Sequence, residues 1–279
     1  MDEVVQPLLA YKGAAVAAWL ALLFAAERWR PAAPRPEPGA DEPRAGWRRL
    51  ARNAGLWAVN AGMSPLVVVP VSLWASSHAL GWRPDWWSGL TGLALDLLIL
   101  DFWIYWWHRA NHEIPLLWRF HEVHHLDRFL DTTSAVRFHF GEVLLSAGVR
   151  AAVIVAAGLP ASSVLVFETL VLVSALFHHA NLALPPRLES ALSRVVVTPS
   201  IHWVHHHRKR VDTDSNYATV LSLWDPLFGT RSATRRWPAM PIGTQGREER
   251  GLGGLLASPF RARNHRVANA SGQSPGGRV

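Results

Sequence analysis

The chain has 279 residues and a formal charge of +7, from 28 Lys and Arg against 21 Asp and Glu. It has no cysteine, which excludes disulfides, thiolate zinc sites and protein-ligated iron–sulfur clusters. Its apolar residues fall in blocks with basic residues beside them, so the charge points to membrane topology and anionic lipid rather than to nucleic acid.

The start, Met1-Asp2-Glu3, is acidic, which predicts no cleavable signal peptide. A first apolar block, Gly13 to Ala26, is with its flanks just long enough to span a bilayer, and ends in Glu27-Arg28-Trp29-Arg30. Residues 31–46 form a connector rich in Pro, Ala, Arg and Glu. A second block, Ala54 to about Ala75, carries Pro65 and Pro70, which membrane helices tolerate. The third, Gly89 to Trp107, runs directly into His108. A fourth (Val143 to Leu159) and a fifth (Val164 to Phe177) flank a turn at Pro160 and Ser162. Both are short, so they form a hairpin that spans or only enters the bilayer. Beyond residue 190 no block is long enough to span, and the Gly-, Ser- and Arg-rich end from about Gly246 is predicted to be disordered. The expected fold is an all-α integral membrane protein with four or five membrane helices. Its 15 Trp, grouped at Trp82, Trp86 and Trp87 and again at Trp103, Trp106 and Trp107, suit an interfacial belt; ordinary core aromatics are the alternative.

Topology can be counted. Arg28, Arg30, Arg35, Arg44, Arg48, Arg49 and Arg52 face only Glu37, Asp41 and Glu42 in the loop before the second block, which the positive-inside rule places in the cytoplasm. Threading the later blocks from there brings every histidine cluster to the cytoplasmic face.

Those clusters are His108-x-x-x-His112, His121-x-x-His124-His125, His178-His179 and His202-x-x-His205-His206. Positions i, i+3 and i+4 share one helical face, so each triple cluster is expected to present three imidazoles from one stripe. Neutral imidazole is a common ligand for iron, zinc and copper, and so many exceed the need of one four-coordinate ion. Two metal ions in a helical, His-rich cap are the economical reading. Asp101 lies two turns before His108 on the same stripe and is expected either to fix a ligating imidazole's tautomer or to be part of a polar helix end. His139, in Arg137-Phe-His139-Phe-Gly-Glu142, reads as a ligand, an outer donor or an interfacial histidine. Adjacent His178 and His179 point about 100° apart, so one of them faces the metals. His207, running into Arg208-Lys209-Arg210, reads as part of a basic headgroup-facing surface. His78 and His265 lie far from the clusters and take no role.

This ordered series resembles the fatty acid hydroxylase superfamily, also called the sterol desaturase family, and within it the bacterial sterol-desaturase-like and alkylglycerol-monooxygenase-like branch. The resemblance rests on Tyr105-Trp-Trp-His108-Arg109-x-x-His112, Leu117-Trp118-x-x-His121-x-x-His124-His125 and Thr132-Thr133-x-x-x-Arg137-x-His139. It continues through His179-Ala180-Asn181, Val197-Thr198-Pro199-x-x-His202-x-x-His205-His206, Asp214-Ser215-Asn216-Tyr217 and Trp224-Asp225-x-Leu227-Phe228-Gly229-Thr230. It covers roughly residues 90 to 232. The resemblance implies a membrane-bound non-haem di-iron oxygenase of a bacterial inner membrane. Such an enzyme uses O2 and two external electrons to hydroxylate or desaturate a lipid C–H bond. By position it implies the iron ligands His108, His112, His121, His124, His125, His179, His202, His205 and His206. Some relatives carry another His or Gln where this chain has Ala175, which leaves one coordination position to water, His139 or His178. The segment from Asp214 to Thr230 is expected to cover the metals, with Asp214 and Asn216 beside the ligands or serving packing alone. Residues 1–88 then form N-terminal membrane segments and a basic loop, 89–232 the catalytic domain and 233–279 a tail.

The electrons need a separate donor protein, because no Gly-rich dinucleotide fingerprint is present. A basic surface at Arg208, Lys209, Arg210, Arg235 and Arg236 suits docking of an acidic electron carrier or contact with anionic lipid. The main alternative is a membrane zinc metalloprotease, since His121-Glu122-x-x-His125 matches the His-Glu-x-x-His motif with Glu122 as base. A metal transporter and a bis-histidine haem protein are further alternatives.

Overall fold

The computed structural model describes residues 2–35, 45–247 and 249–261. Part of the arginine-rich connector and the end beyond residue 261, with its expected disorder, lie outside the described residues. Among the described residues the chain is helical, with no strand beyond isolated bridges such as Val196 with Leu221.

Helix α1 (Asp2–Trp29) precedes α2 (Ala45–Met63), which passes through a π turn (Ser64–Val68) into α3 (Val69–Ser77). The π turn lies at Pro65: proline lacks an N–H and crowds the preceding turn, so the ladder widens instead of breaking, and the Val69 N–H donates to Ser64 O. Next come α4 (Gly89–Glu113), α5 (Pro115–His125), a 3₁₀ turn (Thr132–Val136), α6 (Phe140–Ala157) and α7 (Ala161–His179). Five short helices follow: α8 (Pro186–Leu192), α9 (Pro199–His205), α10 (Arg210–Thr213), α11 (Trp224–Phe228) and α12 (Leu252–Ala257).

Four described helices are long and apolar enough to cross a membrane: Gly46–Ser77, Gly89–Glu113, Phe140–Ala157 and Ala161–His179. The expected first span lies in α1, which is not among them. Only 17–33% of each spanning window is buried within the protein, so these helices turn most of their apolar surface outward, as a lipid solvent requires. Where they face one another, Leu100, Ile154 and Phe167 form a dry core. The turn between α6 and α7 uses Gly158 at φ +68°, where a Cβ would meet Leu80 O at 2.7 Å. At this end the Trp82 indole donates to Ala156 O, while Trp106 and Trp107 sit beside His108 at the other. The two tryptophan groups therefore mark opposite ends of the helix bundle, as interfacial belts do.

Candidate metal centre

All four histidine clusters come to the same end of this bundle. His108 and His112 close α4, and His179 is the last residue of α7. Pro115 starts α5 at a position where its missing N–H costs no helical bond; this turns the chain at Ile114 and aims His121, His124 and His125 back at α4. Pro199 does the same for α9, which carries His202 and His205 and is capped by His206.

The nine imidazoles named from the resemblance form two groups: His108, His112, His121, His125 and His205 in one, His124, His179, His202 and His206 in the other. Within each group the ligand atoms lie within 4.8 Å of one another. The expectation of three imidazoles per helical stripe needs correction. At about 100° per residue, i and i+4 lie about 40° apart, but i+3 falls about 60° to the other side of i. His121 and His125 therefore face one group and His124 the other, while α9 sends His202 and His206 one way and His205 the opposite way. The two groups touch where His125 stacks on His206, with ring centroids 4.3 Å apart.

Most of the ring nitrogens on the outside are held. His108 donates Nδ1–H to Tyr217 O at 2.7 Å, His205 to Ser215 O at 2.7 Å, His179 to Ala175 O at 2.8 Å and His124 to Arg137 O at 3.3 Å. His121 Nδ1 lies 2.8 Å from Glu142 Oε1, and His112 Nδ1 lies 3.3 Å from Asp214 Oδ1. A carbonyl can only accept, so these bonds fix the Nδ1–H tautomer and leave a lone pair on each inner Nε2. His124 and His179 then face each other with Nε2 atoms 3.1 Å apart, both bearing lone pairs. The Nε2 atoms of His179 and His202 also face each other at 3.0 Å, and those of His121 and His125 at 3.2 Å, although no Nδ1 acceptor fixes the tautomer of His202 or His125. The two lone pairs of His124 and His179 repel unless a cation lies between them. Ligands about 2.1 Å from one shared ion lie about 3.0–3.4 Å apart, the spacing seen here. The inner Nε2 atoms of His112 and His205 are buried with no hydrogen-bond partner, as further ligands would be.

Charge agrees with geometry. Burial, and then the neighbouring imidazoles, push His124, His125, His202, His205 and His206 well below the usual histidine range, so they are neutral at neutral pH. Neutral imidazole without carboxylate or thiolate suits iron, zinc, copper or nickel, not magnesium or calcium. The residues fit a pair of such ions.

Several expected site residues sit elsewhere. Asp101 touches none of the nine imidazoles: its Oδ2 accepts from the Leu221 N–H and the Trp224 indole, bracing the loop over the site. His139 caps α6, accepting from Gly141 N through Nδ1 while its Nε2 bonds Leu256 O, so no nitrogen remains for a metal. Asn216, at φ +53°, donates to Ile201 O and accepts from Ser232 N, and so shapes the loop without reaching a ligand. His178 packs beside His202, ring centroids 4.0 Å apart, outside both groups. His207 is buried against Asp212 rather than facing headgroups, and Arg236 lies over Trp203 instead of joining the exposed Arg208, Lys209 and Arg235. Glu122, the base in the protease alternative, is held by Arg247 at 2.8 Å, while His121 and His125 sit among three further imidazoles.

Sequence reasoning missed Glu142 as a partner of His121. Its one signal was an acidic residue in the first turn of an apolar helix. Also missed were the carbonyls of Ser215 and Tyr217, which carry no side-chain signal at all. Asp225 holds that loop in place by accepting from the Tyr217 and Ala218 N–H groups.

A cavity of about 440 Å³ leads from the imidazoles into the membrane helices, lined by Trp107, His108, Phe138, Val143 and Leu172 among others. Its wall is mostly apolar, and five of the nine imidazoles border it.

Residues 93–230 match the profile of the family described as fatty acid hydroxylase. The chain is 30% identical over 196 residues to ornithine lipid hydroxylase OlsE of Rhizobium tropici, covering 70% of this chain and 58% of that protein. It is 32% identical over 150 residues to the alkylglycerol monooxygenase of Homo sapiens (53% and 31%). Over 141 residues it is 32% identical to a cholesterol 25-hydroxylase-like protein of Danio rerio (50% and 54%). The chain thus spans less than two thirds of the length of each of these curated relatives. No solved structure matches it.

Proposed function

The chain belongs to the fatty acid hydroxylase family, and from that premise we propose that it is a multi-pass membrane enzyme that hydroxylates a lipid, using O2 and electrons from a separate donor protein. The observation that carries this reading is the pair of buried imidazole groups whose inner Nε2 atoms face one another at 3.0–3.2 Å. We assign one ion to His108, His112, His121, His125 and His205, and the second to His124, His179, His202 and His206. Held there, two irons would supply the reduction of O2 and the oxidation of a lipid C–H bond.

The protein's own residues do the rest. Tyr217, Ser215, Ala175 and Arg137 carbonyls, with Glu142 and Asp214, hold the imidazole tautomers and orientations. Val143, Phe138 and Leu172 give an acyl or alkyl chain an apolar route to the imidazoles and exclude water from it. The relatives named for ornithine lipids and alkylglycerols support a lipid substrate. The catalytic unit is residues 89–232, buttressed from outside: Glu27 accepts from Thr132 and Asn181, and Arg49 binds Asp127 and Asp131. Arg49 at the histidine end, with the arginine-rich segment before it, supports placing the site on the cytoplasmic face. Exposed Arg208, Lys209 and Arg235 lie near that end and suit an acidic electron donor.

The test is metal content of detergent-purified protein from iron-supplemented cells, beside a variant with His124, His125, His205 and His206 all replaced by Ala. Two irons per chain, absent from the variant and without a haem spectrum, are expected. One zinc retained in the variant would overturn the proposal.

A further inference from the structure

Far from the imidazoles, the same cavity meets an ion pair. Arg150 and Glu168 both line it, with Arg150 Nη2 2.9 Å from Glu168 Oε1 and 3.4 Å from Ser72 Oγ. Both residues lie near the middle of spanning helices, α6 and α7, where charge is costly and marks function more often than packing. The pair is also incompletely satisfied. Arg150 Nε is buried without a hydrogen-bond partner, and Glu168 Oε1, although close to the guanidinium, meets no donor in hydrogen-bond geometry.

Sequence spacing strings the pair to the site. On α6, Glu142, Ser146 and Arg150 recur every fourth residue and share a face; on α7, Glu168, Leu172 and Ala175 share one. At 1.5 Å per residue, Arg150 lies about 12 Å along α6 from Glu142, and Glu168 about 16 Å along α7 from His179. Between these ends the wall is largely apolar, with Val143, Val171 and Leu172. The cavity therefore has imidazoles at one end, hydrocarbon in the middle and a spare donor and acceptor at the other.

We infer that Arg150 and Glu168 form a subsite for a neutral hydrogen-bonding group, a hydroxyl, on the lipid substrate, and so set which carbon reaches the imidazoles. This rests on the hydroxylase reading above. The charge of the subsite decides the class of group. A phosphate or carboxylate would face Glu168, and an ammonium would face Arg150, each at a cost that low dielectric magnifies. A hydroxyl donates to the carboxylate and accepts from the guanidinium, leaving the pair neutral.

The test is retention of lipid by the full-length, detergent-purified protein. Hexadecan-1-ol, hexadecane, hexadecanoate and hexadecylamine are offered in equal amounts, and lipid retained above that of protein-free micelles is measured after gel filtration. Wild type is expected to retain the alcohol about tenfold over the alkane, as hydrogen bonds to charged groups allow. Arg150→Leu with Glu168→Leu should bring that ratio close to one while alkane retention persists, which shows the cavity intact. Glu168→Gln, which leaves the guanidinium uncompensated, should shift preference to hexadecanoate and keeps the inference testable should the double variant not fold. A wild-type protein without alcohol preference, or the same preference in both variants, would overturn the subsite and leave the pair as a tie between α6 and α7. Iron content, measured on the same samples, separates the readings: iron-free wild type counts against the hydroxylase, and the retention ratios still decide the subsite.

Discussion

Glu142 Oε1 lies 2.8 Å from His121 Nδ1, joining the first turn of α6 to the last turns of α5. The carboxylate is buried, and its other oxygen has no hydrogen-bond partner. Among the nitrogens facing outward from the two groups, only His121 and His112 meet a carboxylate; the other four that are held meet a main-chain carbonyl.

Replacing that carboxylate should loosen one group and spare the other. For Glu142→Leu we expect metal affinity in the five-histidine group to fall about 10–100-fold, the usual effect of removing an outer partner. Iron per chain should drop toward one, with Glu142→Gln intermediate because its amide oxygen still accepts. Chelator competition followed by metal analysis checks this; two irons held as tightly as in wild type would refute it.

Acid should empty the site and destabilise what remains. The pKa values of His124, His125, His202, His205 and His206 are depressed in the fold, by burial first and by neighbouring imidazoles second. Below about pH 6.5 the unfolded chain takes up protons that the folded one refuses, so stability falls as pH falls. Protons also compete with metal for the same nitrogens. Metal release and a declining Tm are expected together between about pH 6.5 and 5, and chelator-treated protein should show the Tm decline alone.

Arg49 binds Asp127 at 2.7 Å and Asp131 at 2.7 Å, anchoring α2 beneath the histidine cap. Burial would raise the Asp127 carboxyl, but Arg49 and Arg137 outweigh it and hold it at about 2. A depressed carboxylate contributes stability above its unfolded value near 4 and loses it as pH falls toward 2, on the order of 2 kcal/mol here. Arg49→Leu should cost about 3 kcal/mol or more at neutral pH by stranding buried charge, and should flatten that acid slope. Thermal unfolding of both proteins across pH 2–7 measures both effects.

Glu122→Ala separates hydroxylase from protease. Glu122 is buried, but its partner Arg247 is 38% exposed, so the guanidinium left behind returns to water and a modest loss of stability is expected. The variant should keep both metals and any lipid oxidation. Loss of a proteolytic activity on this change would revive the alternative.

The sequence by itself determined the helices and the grouping of histidines at their ends, because both are local. An apolar block of bilayer length marks α4, two shorter ones mark α6 and α7, and histidines at i, i+3 and i+4 announce a shared helical end. The resemblance offered Asp214 and Asn216 as neighbours of the imidazoles or as packing; Asp214 lies 3.3 Å from His112, and Asn216 bonds only the loop. Tertiary structure alone decided how the histidines divide, because the roughly 100° between i+3 and i+4 matters only once α5 and α9 face α4 on one side and α7 on the other. It also decided what holds each ring. His108 finds its acceptor 109 residues away on a backbone carbonyl, which no residue type encodes. Asp101, aligned with His108 by helical spacing, instead meets a loop that arrives 120 residues later. Helical periodicity is set within a few residues, whereas hydrogen-bond partners are chosen by whatever the fold brings alongside.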